Sequence, residues 1–188
     1  MAFTRTAAPA EEPVTLAQAK AHLRVDVPDD DDYITALITV ARTAAEDRLQ
    51  RTLVNTPWRL TLDGFPPSIT LPMPPLASIQ SVQYRDEAGQ WVTMNAQDYQ
   101  VDTANEPGYV LPAPNTRWPS VGAGINGVRI EYTAGYGETG ESVPTPIRHW
   151  LLLALSDLYQ RRNRSSDKPA VPQNFADALL DTYKIWEL

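Results

Sequence analysis

The chain has 188 residues, of which 43% are hydrophobic, 17 are proline and none is cysteine, and its formal net charge at pH 7 is -7. This length fits one domain with an inserted lobe and a sizeable core. The lack of cysteine excludes disulfides, thiol nucleophiles and cysteine metal sites. The negative net charge argues against a protein that binds the phosphates of nucleic acid. It does not argue against a protein that DNA passes without being bound.

The N-terminal segment, residues 1–13, is small, polar and flanked by proline. This composition predicts an N-terminal arm that becomes ordered only against a neighbour. The segment lacks the apolar core of a signal peptide, and we find no run long and apolar enough to cross a membrane.

A helical part is predicted over residues 14–55. Thr15 and Gln18 have the spacing of a capping box for a short helix. The acidic run Asp29–Asp32 is expected to cap a second helix, from Tyr33 to about Arg51, because carboxylates complement the positive end of a helix. Charged residues of this helix, Arg42 and Glu46 among them, are expected to lie mostly outside its inner face. That inner face is the stripe Ile34, Leu37, Ile38, Ala41, Ala45 and Leu49.

From Thr56 the apolar period changes to two, which predicts an inserted antiparallel β lobe over residues 56–134 with proline-rich turns at its edges. The predicted strands are Trp58–Leu62, Ile69–Leu71, Ile79–Tyr84, Trp91–Met94, Tyr99–Asp102, Tyr109–Leu111 and Gly127–Ala134. The lobe is rich in aromatic residues, so a binding module that holds a ligand there stays open as a second hypothesis. These residues are Trp58, Tyr84, Trp91, Tyr99, Tyr109 and Trp118.

Residues 135–163 are predicted to contain a loop and a central helix. The helix, Pro144–Arg164, is apolar nearly all round, so it must be covered on more than one side. The loop Gly135–Gly140 matches G-x-G-x-x-G, a motif of dinucleotide sites. A structural loop is the favoured interpretation, because Val143–Pro146 separates the last glycine from the helix.

Residues 164–188 are predicted to form a linker and an amphipathic C-terminal helix. The basic patch Arg161, Arg162, Arg164 and Lys168 is either a solvated helix end or an interface for an acidic partner or passing DNA. The apolar residues of the last helix are either core of the same chain or a surface that docks on a neighbour. They are Phe175, Ala176, Leu179, Leu180, Tyr183 and Trp186.

No catalytic, cofactor or metal site is expected. His22 and His149 each stand alone on a helix, without the partners at i+3 or i+4 that a metal site needs. The contiguous run Asp29–Asp32 lacks the spaced ligands of a calcium loop. No nucleophile-elbow, Walker or kinase signature is present, so we do not expect an enzyme. The sequence therefore predicts an α+β fold, a small bundle of about four helices with an inserted antiparallel β lobe.

Two segments carry a resemblance to a known family. The first is VTLAQAKAHLRVDVPDDDDYITALITVARTAAEDRLQRTL, and the second is VRIEYTAGYGETGESVPTPIRHWLLLALSDLYQRRN. Together they cover about 40% of the chain, in the order expected. They resemble the head–tail connector (head-completion or adaptor) proteins of long-tailed double-stranded DNA bacteriophages and phage-like particles. Both are patterns of packing and turns, not catalytic motifs.

The resemblance implies a structural virion protein, assembled in the host cytoplasm and located at the head–tail interface. It implies a homo-oligomeric ring that docks beneath the portal protein and meets a downstream tail-completion or stopper protein. Double-stranded DNA would pass down its axis without sequence readout, with no cofactor and no membrane. The candidate portal or subunit interface is Arg161, Arg162, Arg164, Phe175, Leu179, Tyr183 and Trp186. Another tail-completion protein remains the alternative.

Overall fold

A computed structural model describes residues 1–161 and 174–185 of the chain. They fall into two units: a β unit of Met1–Ala10 and Asn55–Tyr136, and a helical unit whose described residues lie within Glu11–Val54 and Gly137–Leu188. The described residues form four α-helices and two antiparallel sheets. The predicted α+β class, a small helical bundle with an antiparallel β lobe, is confirmed.

The β unit contains a five-stranded and a three-stranded antiparallel sheet. In spatial order, the strands of the first are Ala2–Arg5 (β1), Thr56–Leu62 (β2), Val128–Ala134 (β8), Leu76–Arg85 (β4) and Trp91–Thr93 (β5). Those of the second are Ile69–Thr70 (β3), Tyr109–Pro112 (β7) and Tyr99–Asp102 (β6).

The core of the β unit follows from the period-two pattern of its strands. Along β2 and β8 buried residues alternate with half-buried ones, because successive side chains point to opposite faces of a sheet. Ile69 and Val110 of the small sheet join the same core. The largest fully buried side chain, Tyr132, donates its hydroxyl hydrogen bond to the Pro72 carbonyl at 3.0 Å.

The N-terminal arm differs from the prediction. Ala2–Arg5 pair with β2 in an antiparallel register that places Phe3 opposite Leu60. Phe3 lies 5.8 Å from the Trp58 ring, and the Arg5 guanidinium lies 5.1 Å from the same ring. The chain therefore orders this segment itself, and the expectation that it needs a neighbour is wrong.

The helical unit contains Leu16–Leu23 (α1), Asp31–Leu49 (α2), Thr145–Gln160 (α3) and Asn174–Asp181 (α4). Helix α1 packs against α2 and α3, α2 packs against α3, and α3 packs against α4. The predicted capping box is confirmed: Thr15 Oγ1 accepts from the Gln18 amide at 3.2 Å, and Gln18 Oε1 accepts from the Thr15 amide at 3.0 Å.

Helix α2 buries all six residues of its predicted stripe. Two charged residues expected mostly outside that stripe, Arg42 and Glu46, are also buried, with 4% and 1% of their surfaces exposed. The acidic run does not cap the helix as expected, since Asp30 at the N-cap makes no capping hydrogen bond. Asp30 accepts a hydrogen bond from the Tyr159 hydroxyl at 2.5 Å instead, and Asp31 pairs with Lys20 at 2.5 Å.

Helix α3 begins near the predicted start, with Pro144 at its N-cap, and ends at Gln160, before the predicted end. Its buried face is Ile147, Trp150, Leu151 and Leu155. Leu152, Leu153 and Leu158 on its other sides are half-buried among the residues that the structure describes. The helix thus keeps apolar surface outside the packed core of its own unit.

Candidate interaction surfaces

The end of α3 carries the first of the predicted interface residues. Arg161 is the C-cap, and its Nε atom pairs with Asp157 Oδ1 at 2.8 Å, one helical turn earlier. Both side chains are more than a third exposed, so Arg161 is accessible at the end of the helix. Arg162, Arg164 and Lys168 lie outside the described residues.

Helix α4 packs on its own unit. Ala176 and Leu180 are buried, while Leu179 and Tyr183 are half-buried. Asp177 joins the helix to its neighbours, because it accepts from Trp150 Nε1 at 3.3 Å and pairs with Arg48 at 3.0 Å. Of the other candidates, the Phe175 side chain and Trp186 lie outside the described residues.

The segment after α4 is held by backbone contacts. The Ile185 amide donates to the Leu49 carbonyl at 3.1 Å, and Arg51 Nε donates to the Tyr183 carbonyl. The structure therefore brings Leu179 and Tyr183 together on one docked segment, and leaves each side chain partly accessible to a partner.

A buried ion network organises the helical unit. Arg42 donates to Glu12 at 2.7 Å and to Glu46 at 2.8 Å, and Glu46 also accepts from the Leu53 amide at 3.1 Å. Burial by itself lowers the pKa of Arg42, but the hydrogen bonds and charges of Glu12 and Glu46 outweigh it and raise the pKa above its usual value. The guanidinium is thus a fixed cation that ties the segment before α1 to α2.

The polar face of the five-stranded sheet carries a cluster of arginines, which we call the arginine face: Arg59, Gln83, Arg85, Trp91, Arg129 and Glu131. These residues alternate with core residues along β2, β4, β5 and β8, and the strand register brings them together.

Within the arginine face Trp91 is the central contact, with the Arg85 and Arg129 guanidiniums 5.0 and 4.2 Å from its ring. Arg129 Nε also donates to Gln83 Oε1 at 2.5 Å. Arg59 pairs with Glu131 at 2.7 Å. The sequence contained the signal for this face in its alternating strands, but the cluster was missed because its members extend from Arg59 to Glu131, 72 residues apart in sequence.

A negatively charged surface lies before and at the start of α2. We call it the acidic corner, and it consists of Asp26, Asp29 and Asp32. All three are exposed. Within residues 1–161 and 174–185 none of them forms an ion pair, whereas Asp30 and Asp31 between them are engaged with Tyr159 and Lys20.

The glycine-rich loop Gly135–Gly140 packs tightly against the segment before α1. Strand β8, which precedes it, is antiparallel to both of its neighbours, so the parallel βαβ unit of a dinucleotide site is missing there. A Cβ atom on Gly140 would lie 2.6 Å from the Glu12 carbonyl oxygen and 2.8 Å from that of Pro13. Next to Gly140 lies a cavity of about 210 Å³ whose charged lining is Glu11, Glu12, Glu141 and Arg148. Three carboxylates against one guanidinium disfavour a pyrophosphate there.

Most aromatic residues of the β lobe belong to its interior. Trp58 is buried, and Tyr84, Tyr99 and Trp118 pack against the core. Trp118 stacks on Phe65 with ring centroids 4.6 Å apart. Trp91 is more than a third exposed but is covered on its ring by arginines. These aromatic residues therefore do not form the contiguous exposed surface that the binding-module hypothesis requires.

The described part of the chain contains neither a membrane span nor a cluster of metal ligands. No described helix has the length and apolarity to cross a membrane. Over the same residues, no three histidine or acidic side chains come together as metal ligands would.

Three chains of solved particles share the fold. They come from the neck of an empty GTA particle computed with C6 symmetry (TM-score 0.82, 21% identity), the virion of a native gene transfer agent (GTA) particle (0.83, 22%) and the neck of a native GTA particle computed with C12 symmetry (0.79, 22%). Each alignment covers 100% of this chain and 97% of the other.

One of the two sequence comparisons supports the resemblance. No curated protein matches the chain significantly. The sequence profile of the phage gp6-like head–tail connector proteins matches residues 13–105, which contain α1, α2 and the five strands β2 to β6. This match, together with the shared fold, confirms the predicted resemblance to the head–tail connector protein family.

Proposed function

We propose that the protein is a structural virion protein that forms a ring adaptor between the portal at the capsid vertex and the tail. Copies of the chain would surround an axial channel for double-stranded DNA. The observation that carries this proposal is the match to the head–tail connector family, together with a full-length fold shared with chains of particle necks computed with C6 and C12 symmetry.

The physical character of the chain supports a ring. Its net charge of -7 repels passing DNA and so avoids trapping it. The half-buried leucines of α3 and the two surfaces of opposite charge offer contact area for neighbouring copies. A head-to-tail ring needs two different patches on each subunit, and the chain has several.

We assign the contact with the portal or the next subunit to the C-terminal part. It comprises Arg161, Arg162, Arg164, Phe175, Leu179, Tyr183 and Trp186. Leu179 and Tyr183 support this assignment, because both sit half-exposed on a segment already held against the helical unit. The connector domain would comprise residues 14–55 and 135–163, with residues 56–134 as its inserted lobe.

Sedimentation with the portal protein tests the proposed function. We expect the purified chain to bind assembled portal and to sediment with it as a closed oligomer. A chain that stays monomeric and sediments apart from the portal at every concentration would contradict the proposal.

Substitution on α4 tests the assigned contact. Leu179→Glu should weaken binding to the portal or to the neighbouring copy, because it places a charge in an apolar interface. Ala178→Glu is the matched control, since Ala178 is exposed on the same helix. Equal binding by both variants would remove α4 from the interface while leaving the ring itself untouched.

A further inference from the structure

We propose that the arginine face of one copy docks on the acidic corner of a second copy, and that this contact joins neighbours in the ring. This inference rests on the proposed function, which supplies the ring. It adds the two surfaces that meet and the chemistry that matches them.

The arginine face has unmatched positive charge in an otherwise acidic chain. It contains three arginines and one glutamate, and Glu131 is already paired with Arg59 at 2.7 Å. Arg85 and Arg129 make no ion pair among the described residues; their contacts are the Trp91 ring and Gln83. Two guanidiniums are therefore available for carboxylates of a partner.

Trp91 gives this face a fixed geometry. Its ring is in contact with both guanidiniums, at 5.0 and 4.2 Å, which restricts the long arginine side chains before any partner binds. Preorganised side chains lose less entropy on association. Tryptophan and arginine are also the residue types that dominate binding energy at protein interfaces.

The acidic corner supplies the matching charge. Asp26, Asp29 and Asp32 are exposed and have no ion-pair partner in residues 1–161 and 174–185, while Asp31 is paired with Lys20. A second copy is the occupant that the charges favour, because each chain carries both the basic patch and its acidic complement. A contact between two different patches of neighbouring copies is a head-to-tail contact, which generates a ring when the rotation closes.

Charge reversal tests the pairing. One variant combines Arg85→Glu with Arg129→Glu, and a second combines Asp29→Lys with Asp32→Lys. Each alone should raise the dissociation constant between copies by about tenfold or more, because like charges then face each other. The readout is sedimentation velocity of the chain with assembled portal, beside the wild type. A chain with Asp47→Lys and Arg117→Glu, both exposed and outside the two patches, serves as the control and should assemble normally.

Rescue makes the test specific. An equal mixture of the two variants should regain assembly, because each reversed patch then meets a complementary one on the other variant. A single chain with all four substitutions should assemble with itself for the same reason. Rescue requires that both variants fold, so it separates a lost contact from a lost structure.

Several results would overturn the inference. Single variants that assemble like the wild type, or losses that no mixture restores, would reject this interface while the wild-type ring on the portal keeps the proposed function. A wild type that never assembles would reject both. Binding of a short DNA duplex that the Arg85→Glu, Arg129→Glu variant loses would assign the arginine face to DNA instead of to a second copy.

Discussion

Arg42 lies in a buried, charged environment that limits substitution at this position of the helical unit. Its guanidinium is 4% exposed and joins Glu12 and Glu46, so removing it leaves the nearly fully buried Glu46 carboxylate without its cation. We expect Arg42→Ala to lower the free energy of unfolding by about 3–5 kcal/mol, which is the usual cost of removing one partner of a buried ion pair while the other stays buried. Chemical denaturation followed by circular dichroism measures the change.

A second arginine on the same helix provides the control. Arg48 pairs with Asp177 at 3.0 Å, but the two side chains are 44% and 30% exposed. Arg48→Ala should lower the free energy of unfolding by less than about 1 kcal/mol, because exposed ion pairs contribute little to stability. Equal losses for the two variants would show that the Arg42 network does not stabilise the fold as argued.

Asp102, the last residue of β6, accepts hydrogen bonds from the turn that follows the strand. Its side chain accepts from Asn105 Nδ2 at 2.6 Å and from the Ala104 and Asn105 amides at 2.7 and 3.1 Å. The Asn105 side chain first, and then these amides, lower the pKa of Asp102 to about 2. Because the folded-state pKa lies below the unfolded value, the turn is fully stabilised above about pH 4 and loses that stabilisation as the pH falls towards about 2.

A carboxyl titration followed by nuclear magnetic resonance tests this turn. Asn105→Ala should raise the pKa of Asp102 towards that of an ordinary aspartate. Asn95→Ala removes a comparable amide beside Asp98 and should leave the pKa of Asp102 unchanged. A wild-type pKa near 4 would contradict the hydrogen-bond geometry.

At the scale of elements, β1 is a short edge strand attached by side chains as well as by its ladder. Phe3→Ala removes the ring contact with Trp58 at 5.8 Å and should lower the free energy of unfolding by about 1 kcal/mol. Thr4, which the strand alternation places on the opposite face, gives the matched control, Thr4→Ala, with little effect. A Trp58 fluorescence spectrum unchanged by Phe3→Ala would argue against the pairing of β1 with β2.

The loop before α3 is an element whose packing depends on one glycine. Gly140→Ala would place a Cβ atom 2.6 Å from the Glu12 carbonyl oxygen, and backbone atoms cannot move aside cheaply. We expect the substitution to lower the free energy of unfolding by about 1–3 kcal/mol, measured by chemical denaturation. Gly64→Ala is the control, because a Cβ at Gly64 meets nothing within 4 Å. A nucleotide-dependent shift in stability of the wild type would revive the dinucleotide interpretation of this loop.

Elements with a regular apolar period could be predicted from the sequence. Helix α2 and strand β2 each repeat their buried residues at the period of their structure, and the structure buries those residues. The burial of Arg42 could not be predicted in the same way, because an arginine and a glutamate four residues apart are typical of an exposed helix face, and Glu12 lies 30 residues away in sequence.

Long-range pairing explains the other differences. Strand β1 has only four residues, AFTR, and its partner β2 begins more than fifty residues later. The Asp29–Asp32 run was expected to cap α2, but Tyr159 and Lys20, from other helices, compete for Asp30 and Asp31. The arginine face likewise exists only once four strands have paired.

At the scale of the whole molecule, the chain combines a connector-family sequence, a fold shared over its full length with chains of particle necks, and surfaces of opposite charge. Assembly should therefore depend on salt, because exposed charges are screened beyond about 8–10 Å at physiological ionic strength. We expect sedimentation with the portal to weaken as the salt concentration rises. Stronger assembly at high salt would instead indicate that apolar surface, such as that of α3, dominates the contact between copies.

Electron cryomicroscopy of particles assembled with this chain tests the ring most directly. We expect the chain to appear as a closed, cyclically symmetric ring between the portal and the tail, around the axis along which DNA passes. Density for single copies elsewhere on the particle, or complete head–tail joining in particles that lack the chain, would contradict the proposed adaptor.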